Sequence, residues 1–125
     1  MEKRIVVDKE TREAIRKALG VSKTYMSLSL CFRRDGDTPR RIRRYALLRG
    51  GVLMGAQTPE CETEHDEGRG VMVQSFGPRV RIEFERKSGV ARLLVDGSEE
   101  RRCEDLDVPE LMEMQAEAQR AAAAL

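Results

Sequence analysis

The sequence has few aromatic residues and a single histidine. Its 125 residues include no tryptophan, two tyrosines and three phenylalanines. With so few large rings, the chain can build only a modest core and offers little surface on which single-stranded nucleic acid could stack. It also has no nucleophile-elbow serine, no phosphate-binding loop and no closely paired set of catalytic carboxylates. We therefore expect no enzymatic activity and no cofactor.

Long apolar runs and an even set of cysteines are also missing. No hydrophobic stretch approaches the roughly 18–20 residues that a membrane span needs. The first eight residues contain basic side chains but no apolar stretch long enough for a signal peptide. Cys31, Cys61 and Cys103 are odd in number and widely spaced, which argues against a disulfide scaffold. We expect a soluble cytoplasmic protein with reduced thiols and no membrane partner.

Charge is abundant, and its sign differs between the two halves of the chain. Residues 1–50 contain 14 Lys+Arg against 6 Asp+Glu, a net charge of +8. Residues 51–125 contain 9 against 16, a net charge of −7, and the two values together give the formal +1 of the whole chain. This asymmetry indicates one part that faces a polyanion such as nucleic acid, joined to a part of another kind.

Two helices are predicted in the first 32 residues. Asp8 and Ser22 are good N-caps, because their side-chain oxygens can accept hydrogen bonds from the free amides of a first helical turn. Gly20 can adopt the positive φ that often ends a helix. Together with the helical spacing of the apolar residues, these signals predict helices over about 8–19 and 23–32.

A third helix is predicted over about 40–49. Asp37 or Thr38 is expected to cap it, and Pro39 suits its first turn, where a missing N–H does no harm. The three helices are expected to share one thin core. The side chains expected in that core are Ala14, Ile15, Ala18, Leu19, Tyr25, Met26, Leu30, Ile42, Tyr45, Ala46 and Leu48.

Residues 52–70 are predicted to form an acidic linker between two domains. Val52–Met54 has the composition of a short strand, but the stretch after it is rich in Glu and Asp and shows no periodicity. Cys61 and His65 in this stretch are residue types that bind zinc. Structural zinc requires four ligands, usually with a second close pair, which the sequence does not supply. We therefore interpret the stretch as an acidic loop and expect no metal site.

After residue 70 the pattern changes to that of antiparallel strands. Val80, Ile82 and Phe84 alternate with charged residues, and Gly-Pro, Ser-Gly and Asp-Gly pairs separate neighbouring runs. The predicted meander covers residues 71–76, 79–86, 90–95 and 99–103. A sheet of this kind has one face available for a core and one face in water.

A final helix is predicted from Asp107, where a cap, an early proline and a glutamate follow one another. Its apolar residues are spaced three and four apart, and they are Leu111, Met114, Ala118, Ala121 and Leu125. We expect this stripe to cover the apolar face of the meander or to serve a dimer. The predicted fold is therefore α+β, with a three-helix domain over 1–51, a linker over 52–70, and an antiparallel sheet with a C-terminal helix over 71–125.

The most specific local motif is Gly20-Val21-Ser22, between the first two predicted helices. The glycine supplies a sharp turn, the valine can fill the space between the helices, and the serine caps the second helix. Residues 8–50 resemble bacterial helix-turn-helix regulators, closest to the lac repressor headpiece type and to small regulators of phages and mobile elements. The resemblance implies that the start of the second helix enters the major groove of DNA. The implied contacts to bases or phosphates are Ser22, Lys23, Thr24 and Ser27.

Two positions differ from the usual sequence of these regulators. Arg16, four residues before Gly20, stands where a small residue commonly lets the two helices approach each other. Ser29 stands where an apolar residue is common. We therefore expect Arg16 to extend toward solvent, or the two helices to cross at a different angle.

Six arginines lie within twelve residues after the second predicted helix. They are Arg33, Arg34, Arg40, Arg41, Arg43 and Arg44. Only Asp35 and Asp37 offset their charge, and so many guanidinium groups repel one another unless an anion neutralises them. Phosphate is a natural counterion, since a guanidinium group binds it through two parallel hydrogen bonds. We predict that all six arginines contact the backbone of double-stranded DNA.

These patterns together predict a sequence-specific DNA-binding protein that regulates transcription. A single small headpiece makes few contacts, so we expect a homodimer on two half-sites, with the C-terminal domain holding the dimer together or binding a partner protein. Three alternatives remain open. In the first, the chain is a protein-interaction module, adaptor or antitoxin-like, with secondary or no DNA binding. In the second, it binds RNA. In the third, residues 1–51 are an ordinary three-helix bundle whose charged face is only solvated.

Overall fold

The computed structural model describes residues 2–56 and 60–125. Within these residues the chain is α+β, with four helices, a five-stranded antiparallel sheet and a two-stranded sheet. It divides into two compact units. The first unit comprises the described residues up to 56 together with Ala123–Leu125, and the second comprises residues 60 to 122. None of the helices in the described ranges is both long enough and apolar enough to cross a membrane.

The first unit is a three-helix cluster closed by a short two-stranded sheet. Its elements are β1 Arg4–Val6, α1 Lys9–Leu19, α2 Lys23–Leu30, α3 Asp37–Leu48 and β2 Val52–Met54. The strands β1 and β2 pair antiparallel, with Ile5 opposite Leu53. Sequence analysis did not predict β1, because a strand of three residues is too short to show alternation.

The predicted ends of α1 and the start of α2 are confirmed. The Asp8 carboxylate accepts a hydrogen bond from the Thr11 amide at 2.8 Å, and the Ser22 hydroxyl accepts one from the Tyr25 amide at 3.1 Å. Gly20 ends α1 with a φ of 62°, and its amide donates to the carbonyl of Arg16. A turn of only three residues therefore joins two separately capped helices.

The limits of α2 and α3 differ from their predicted ones. The helix α2 ends at Leu30 rather than near residue 32, because Phe32 adopts a left-handed conformation with a φ of 58°. The helix α3 begins at Asp37, and its capping position is Gly36, without a side-chain hydrogen bond. The prediction that Asp37 or Thr38 caps α3 was therefore wrong.

The core of the first unit forms where the three helices and β1 meet. It consists of Ile5, Ile15, Met26, Leu30, Ile42 and Ala46, each no more than 3% exposed. Leu48 was expected in this core but is 60% exposed, and Ala18 is also exposed. The strand β1 packs on α2 and α3 and contributes Ile5 to this core, which sequence analysis did not include.

The second unit is a meander of five strands with a helix on one face. The strands are β3 Cys61–Asp66, β4 Val71–Phe76, β5 Val80–Glu85, β6 Val90–Val95 and β7 Ser98–Cys103, and the helix is α4 Val108–Ala124. Each strand pairs antiparallel with the next in chain order. The four strands predicted after residue 70 are confirmed to within a residue or two, and the Asp107 carboxylate caps α4 at the Glu110 amide at 2.8 Å.

The short strand expected at Val52–Met54 within the predicted linker over residues 52–70 is present, as β2 of the first unit. The prediction of an acidic loop was wrong for Cys61–Asp66, which is the edge strand β3 of the second unit. All six residues of β3 are exposed. A polar sequence forms a strand here because β4 supplies its hydrogen bonds along one side, and an edge strand tolerates charge on both faces. The middle of the predicted linker, residues 57–59, lies outside the described residues.

The helix α4 packs on the sheet face that carries Val80 and Ile82. Met114, Ala118 and Ala121 of the predicted stripe are buried, each at most 1% exposed. Polar contacts add to this packing: the Gln115 amide donates to Gln74 of β4 at 3.0 Å, and Arg101 of β7 pairs with Glu117 at 2.8 Å. Three of the five stripe residues are therefore buried within one chain, and Leu111 and Leu125 are half-buried.

Candidate nucleic-acid interface

The first turn of α2 faces solvent. Met26, Ser29 and Leu30 are the buried residues of this helix, so the opposite face carries the side chains at its start. Ser22, Lys23 and Thr24 are exposed, and Ser27 is half-buried. These are the four residues that sequence analysis placed at the start of the second helix as candidate contacts.

An open groove of about 710 Å³ lies beside this face of α2. It is lined by Glu2, Lys3, Arg4, Lys23, Thr24, Ser27, Leu28, Cys31 and Arg33. Four of these side chains are basic and one is acidic. The groove therefore brings three of the predicted contacts on α2 together with Arg33 and with a basic pair, Lys3 and Arg4, at the start of β1.

A second, smaller groove adjoins the other side of the same turn. It measures about 270 Å³ and is lined by Lys9, Arg12, Glu13, Arg16, Lys23 and Met26. Lys23 belongs to both grooves. The two grooves together present seven basic and two acidic side chains around the N-terminal end of α2, which is an arrangement suited to an extended anion.

Several of these basic residues were missed by sequence analysis. Lys9, Arg12 and Arg16 are spaced three and four apart on α1, so they share one helix face, and that spacing was a usable signal. Lys3 and Arg4 gave no such signal, because only the pairing of β1 with β2 places them near α2. Arg16 is exposed, as expected for the larger side chain at that position.

The end of α2 turns Arg33 back toward the groove. The Arg33 amide donates to the carbonyl of Leu28 at 3.0 Å, and the Phe32 amide donates to that of Ser29 at 3.1 Å. This is the Schellman arrangement, which requires the left-handed conformation that Phe32 adopts. A phenylalanine is unusual at such a position. The Lys3 ammonium group lies 4.2 Å and the Arg43 guanidinium group 4.5 Å from the centre of its ring, and both cation–π contacts favour this position of the ring.

Arg43 does not belong to the exposed basic surface, so its prediction as a phosphate contact was wrong. Its side chain is 1% exposed. The guanidinium group donates to the carbonyls of Ala124 at 2.6 Å, Arg34 at 2.9 Å and Ser29 at 3.2 Å, and to the Asp35 carboxylate at 3.2 Å. Burial lowers the pKa of Arg43, while the hydrogen bond that Arg43 donates to the Asp35 carboxylate opposes that shift. Arg43 therefore holds the first unit together from inside.

The Ser29 position shows how a polar residue is accommodated where an apolar one is common. Ser29 is completely buried, and its hydroxyl donates to the Tyr25 carbonyl one turn earlier at 2.8 Å. Its own carbonyl accepts from Arg43. The hydroxyl and the carbonyl of Ser29 are therefore both hydrogen-bonded within the unit.

Asp35 neutralises part of the arginine cluster. Arg40 pairs with it through two hydrogen bonds of 3.2 and 3.3 Å, and Arg43 donates to the same carboxylate. The Gly36 amide, and then Arg40, lower the pKa of Asp35 from 3.8 to about 2. Arg40 is thus already paired within the chain. Its side chain is 30% exposed, and a phosphate can reach only this exposed part.

The other arginines of the cluster have different surroundings. Arg33, Arg34 and Arg41 are exposed, and Arg44 is half-buried. Only Arg33 of these four lines the groove beside α2. Arg34 and Arg41 have the exposure that phosphate contact requires and remain predicted contacts. The structure therefore does not bring the six arginines into one patch.

Cys61 and His65 are four positions apart on β3, and both are exposed. Within residues 2–56 and 60–125, no group of three or more His, Cys, Asp or Glu side chains is placed to hold a metal ion. The two residues therefore do not form a metal centre with other described side chains.

Comparisons of this chain with protein-family models, with curated proteins and with solved structures found no match.

Proposed function

We propose that this protein is a sequence-specific DNA-binding regulator of transcription, in which α1, the turn at residues 20–22 and α2 act as a helix-turn-helix. The support is a three-residue turn between two capped helices, with α3 in contact with both. In proteins of this type the second helix lies in the major groove, and its N-terminal residues contact base edges. Lys23, Thr24 and Ser27 hold that position here.

The side chains around α2 divide into two groups by what they are able to recognise. Lys23, Thr24 and Ser27 carry donors and acceptors that distinguish base pairs in the major groove. Lys3, Arg4, Arg12, Arg16 and Arg33 supply positive charge to the phosphates on either side, which fixes the position of the protein on the duplex. Ser22 uses its hydroxyl oxygen as an acceptor for the cap, and its hydroxyl proton is left for a phosphate oxygen.

One observation carries this proposal: two grooves meet at Lys23, with seven basic side chains around an exposed helix start. Charge of one sign gathered at a capped helix N-terminus favours a polyanion, because the helix dipole adds to the attraction. The charge of this part of the chain as a whole agrees with a polyanionic partner, since residues 1–50, grooves included, carry a net charge of +8.

In this proposal the protein binds as a homodimer. One three-helix unit offers only a few base contacts, and helix-turn-helix dimers gain specificity from two half-sites about 34 Å apart. Because Met114, Ala118 and Ala121 of the α4 stripe are buried within the chain, the dimer uses another surface. The edge strand β3, whose six residues are all exposed, offers a sheet edge for that dimer.

The proposal is tested by selecting bound sequences from a random duplex pool and then measuring affinity by fluorescence anisotropy. We expect a two-fold symmetric site, and affinity that falls steeply with salt. Lys23→Ala should relax the preference at one position and weaken specific binding by about tenfold, as expected when a base contact worth about 1–3 kcal/mol is lost. Lys17→Ala is the matched control, because Lys17 is exposed on α1 and lines neither groove.

Two results would replace the proposal with another function. No binding to any duplex at about 50 mM salt, where phosphate contacts are strongest, would favour a protein-interaction module. Equal or tighter binding to RNA in direct competition would favour an RNA-binding protein.

A further inference from the structure

The carboxylate of Glu2 lies in the groove beside α2, among four basic side chains. Its Oε2 atom is 3.2 Å from Nη2 of Arg33, and the two side chains are 81% and 64% exposed. Among the residues that the structure describes, no other acidic side chain lines this groove. Resting on the function proposed above, we infer that Glu2 takes the place of a DNA phosphate on Arg33 and that a duplex must displace it to bind.

The chemistry of Arg33 supports this competition. A guanidinium group presents the same fork of N–H donors to a carboxylate and to a phosphate, so the two anions compete for one position. Glu2 forms a single exposed contact with Arg33, and exposed ion pairs are weak because water and salt screen both charges. A duplex, which brings several phosphates to the groove at once, is therefore able to displace it.

The backbone next to Glu2 is held in place, so the carboxylate is not on a loosely attached end. Lys3 lies over the Phe32 ring, and β1 pairs with β2 from the next residue onward. Gly55 packs against the Glu2 backbone so closely that a Cβ atom there would lie 2.8 Å from the carbonyl carbon of Glu2. The geometry therefore positions Glu2 at the groove, where it lowers the affinity for every duplex and leaves base discrimination to α2.

The experiment compares four full-length variants with the unaltered protein in duplex binding at about 50 mM salt. Glu2→Gln should tighten binding to selected and random duplexes alike by about three- to fivefold, the range that loss of one exposed ion pair allows. Glu10→Gln is the charge-matched control, because Glu10 lies in the first turn of α1 and lines neither groove. Arg33→Gln should weaken binding. The fourth variant combines Glu2→Gln with Arg33→Gln. Relative to Arg33→Gln alone, the added Glu2→Gln should improve binding no more than Glu10→Gln improves binding of the unaltered protein.

The outcomes separate this inference from the function on which it rests. If the unaltered protein binds duplex but Glu2→Gln and Glu10→Gln have the same effect, the competition is refuted and the DNA-binding proposal stands. An improvement that persists in full without Arg33 refutes it as well, since the carboxylate would then act only by general charge. Failure of every variant to bind any duplex overturns both. Circular dichroism and thermal unfolding should be unchanged by Glu2→Gln, because the pair is exposed.

Discussion

Arg41 and Arg43 are two positions apart on α3, and their side chains have opposite surroundings. Arg41 is exposed, whereas Arg43 is 1% exposed and donates to three backbone carbonyls and one carboxylate. A charge that is buried with all of these partners is costly to remove, because the carbonyls then lose their donor. The same residue type therefore serves stability at one position and a surface at the other.

We expect Arg43→Ala to lower the free energy of unfolding by about 3–5 kcal/mol, the usual cost of breaking a buried charged network. Arg41→Ala should change it by less than about 0.5 kcal/mol, as exposed substitutions do. Urea unfolding followed by circular dichroism measures both. Equal stability of the two variants would show that Arg43 does not support the fold.

Asp35 makes the stability of the first unit depend on pH. Its pKa is lowered from 3.8 to about 2 by the Gly36 amide and by Arg40, so the folded state favours the charged form. The stabilisation is fully present above pH 3.8 and is lost as pH falls toward 2.

We therefore expect Asp35→Asn to be less stable than the unaltered protein at pH 6, with the difference shrinking as the pH is lowered through 3.8 to about 2. Thermal unfolding at a series of pH values measures this difference. A constant difference across that range would mean that the charge on Asp35 contributes nothing to the fold.

At the scale of elements, local signals predicted the helices better than the strands. Asp8, Gly20 and Ser22 mark the limits of α1 and the start of α2, because caps and positive φ values depend on neighbours in the chain. The strands β1 and β3 were missed for different reasons. The strand β1 is too short for alternation to be visible. The strand β3 lies at the edge of its sheet, and both of its faces are exposed and polar, so its sequence shows no apolar alternation.

The cap on α2 provides a prediction for the turn between α1 and α2. Ser22→Ala removes the acceptor for the Tyr25 amide and should lower the free energy of unfolding by about 1 kcal/mol. Ser22→Thr keeps an oxygen in the same place and should retain most of the stability. Chemical denaturation compares the three proteins. If alanine and threonine behave alike, the hydrogen bond at this position is not what begins the helix.

At the scale of the whole molecule, the candidate interface combines residues that are far apart in sequence. Lys3 and Arg33 line one groove, and Lys9 and Arg16 line another, with Lys23 between them. The sequence predicted the part of this surface that lies on α2, and also Arg33 in the turn after α2. The basic residues at the start of β1, Lys3 and Arg4, could not be predicted, because their position depends on a strand pairing with β2 some 48 residues later in the chain.

The interface also predicts how DNA affinity changes with salt. The double variant Arg4→Gln with Arg33→Gln should lower the slope of log affinity against log salt by about two, since each lost phosphate contact contributes about 0.9. Lys17→Gln with Arg49→Gln removes the same charge from exposed positions outside both grooves and should change the slope by less than half as much. Anisotropy titrations at several salt concentrations give the slopes. Equal slopes for the two double variants would place the phosphates elsewhere on the molecule.

The sequence by itself determined where most helices and strands begin and end, and that the basic charge belongs to the first part of the chain. These properties depend on caps, turns and alternation, which act over a few residues. Only the tertiary structure decided which arginines are exposed. Arg43 is buried because Phe32 turns the chain back at the end of α2 and because the carbonyl of Ala124, 81 residues later, accepts its Nε hydrogen. Local patterns carry no information about a partner at that distance.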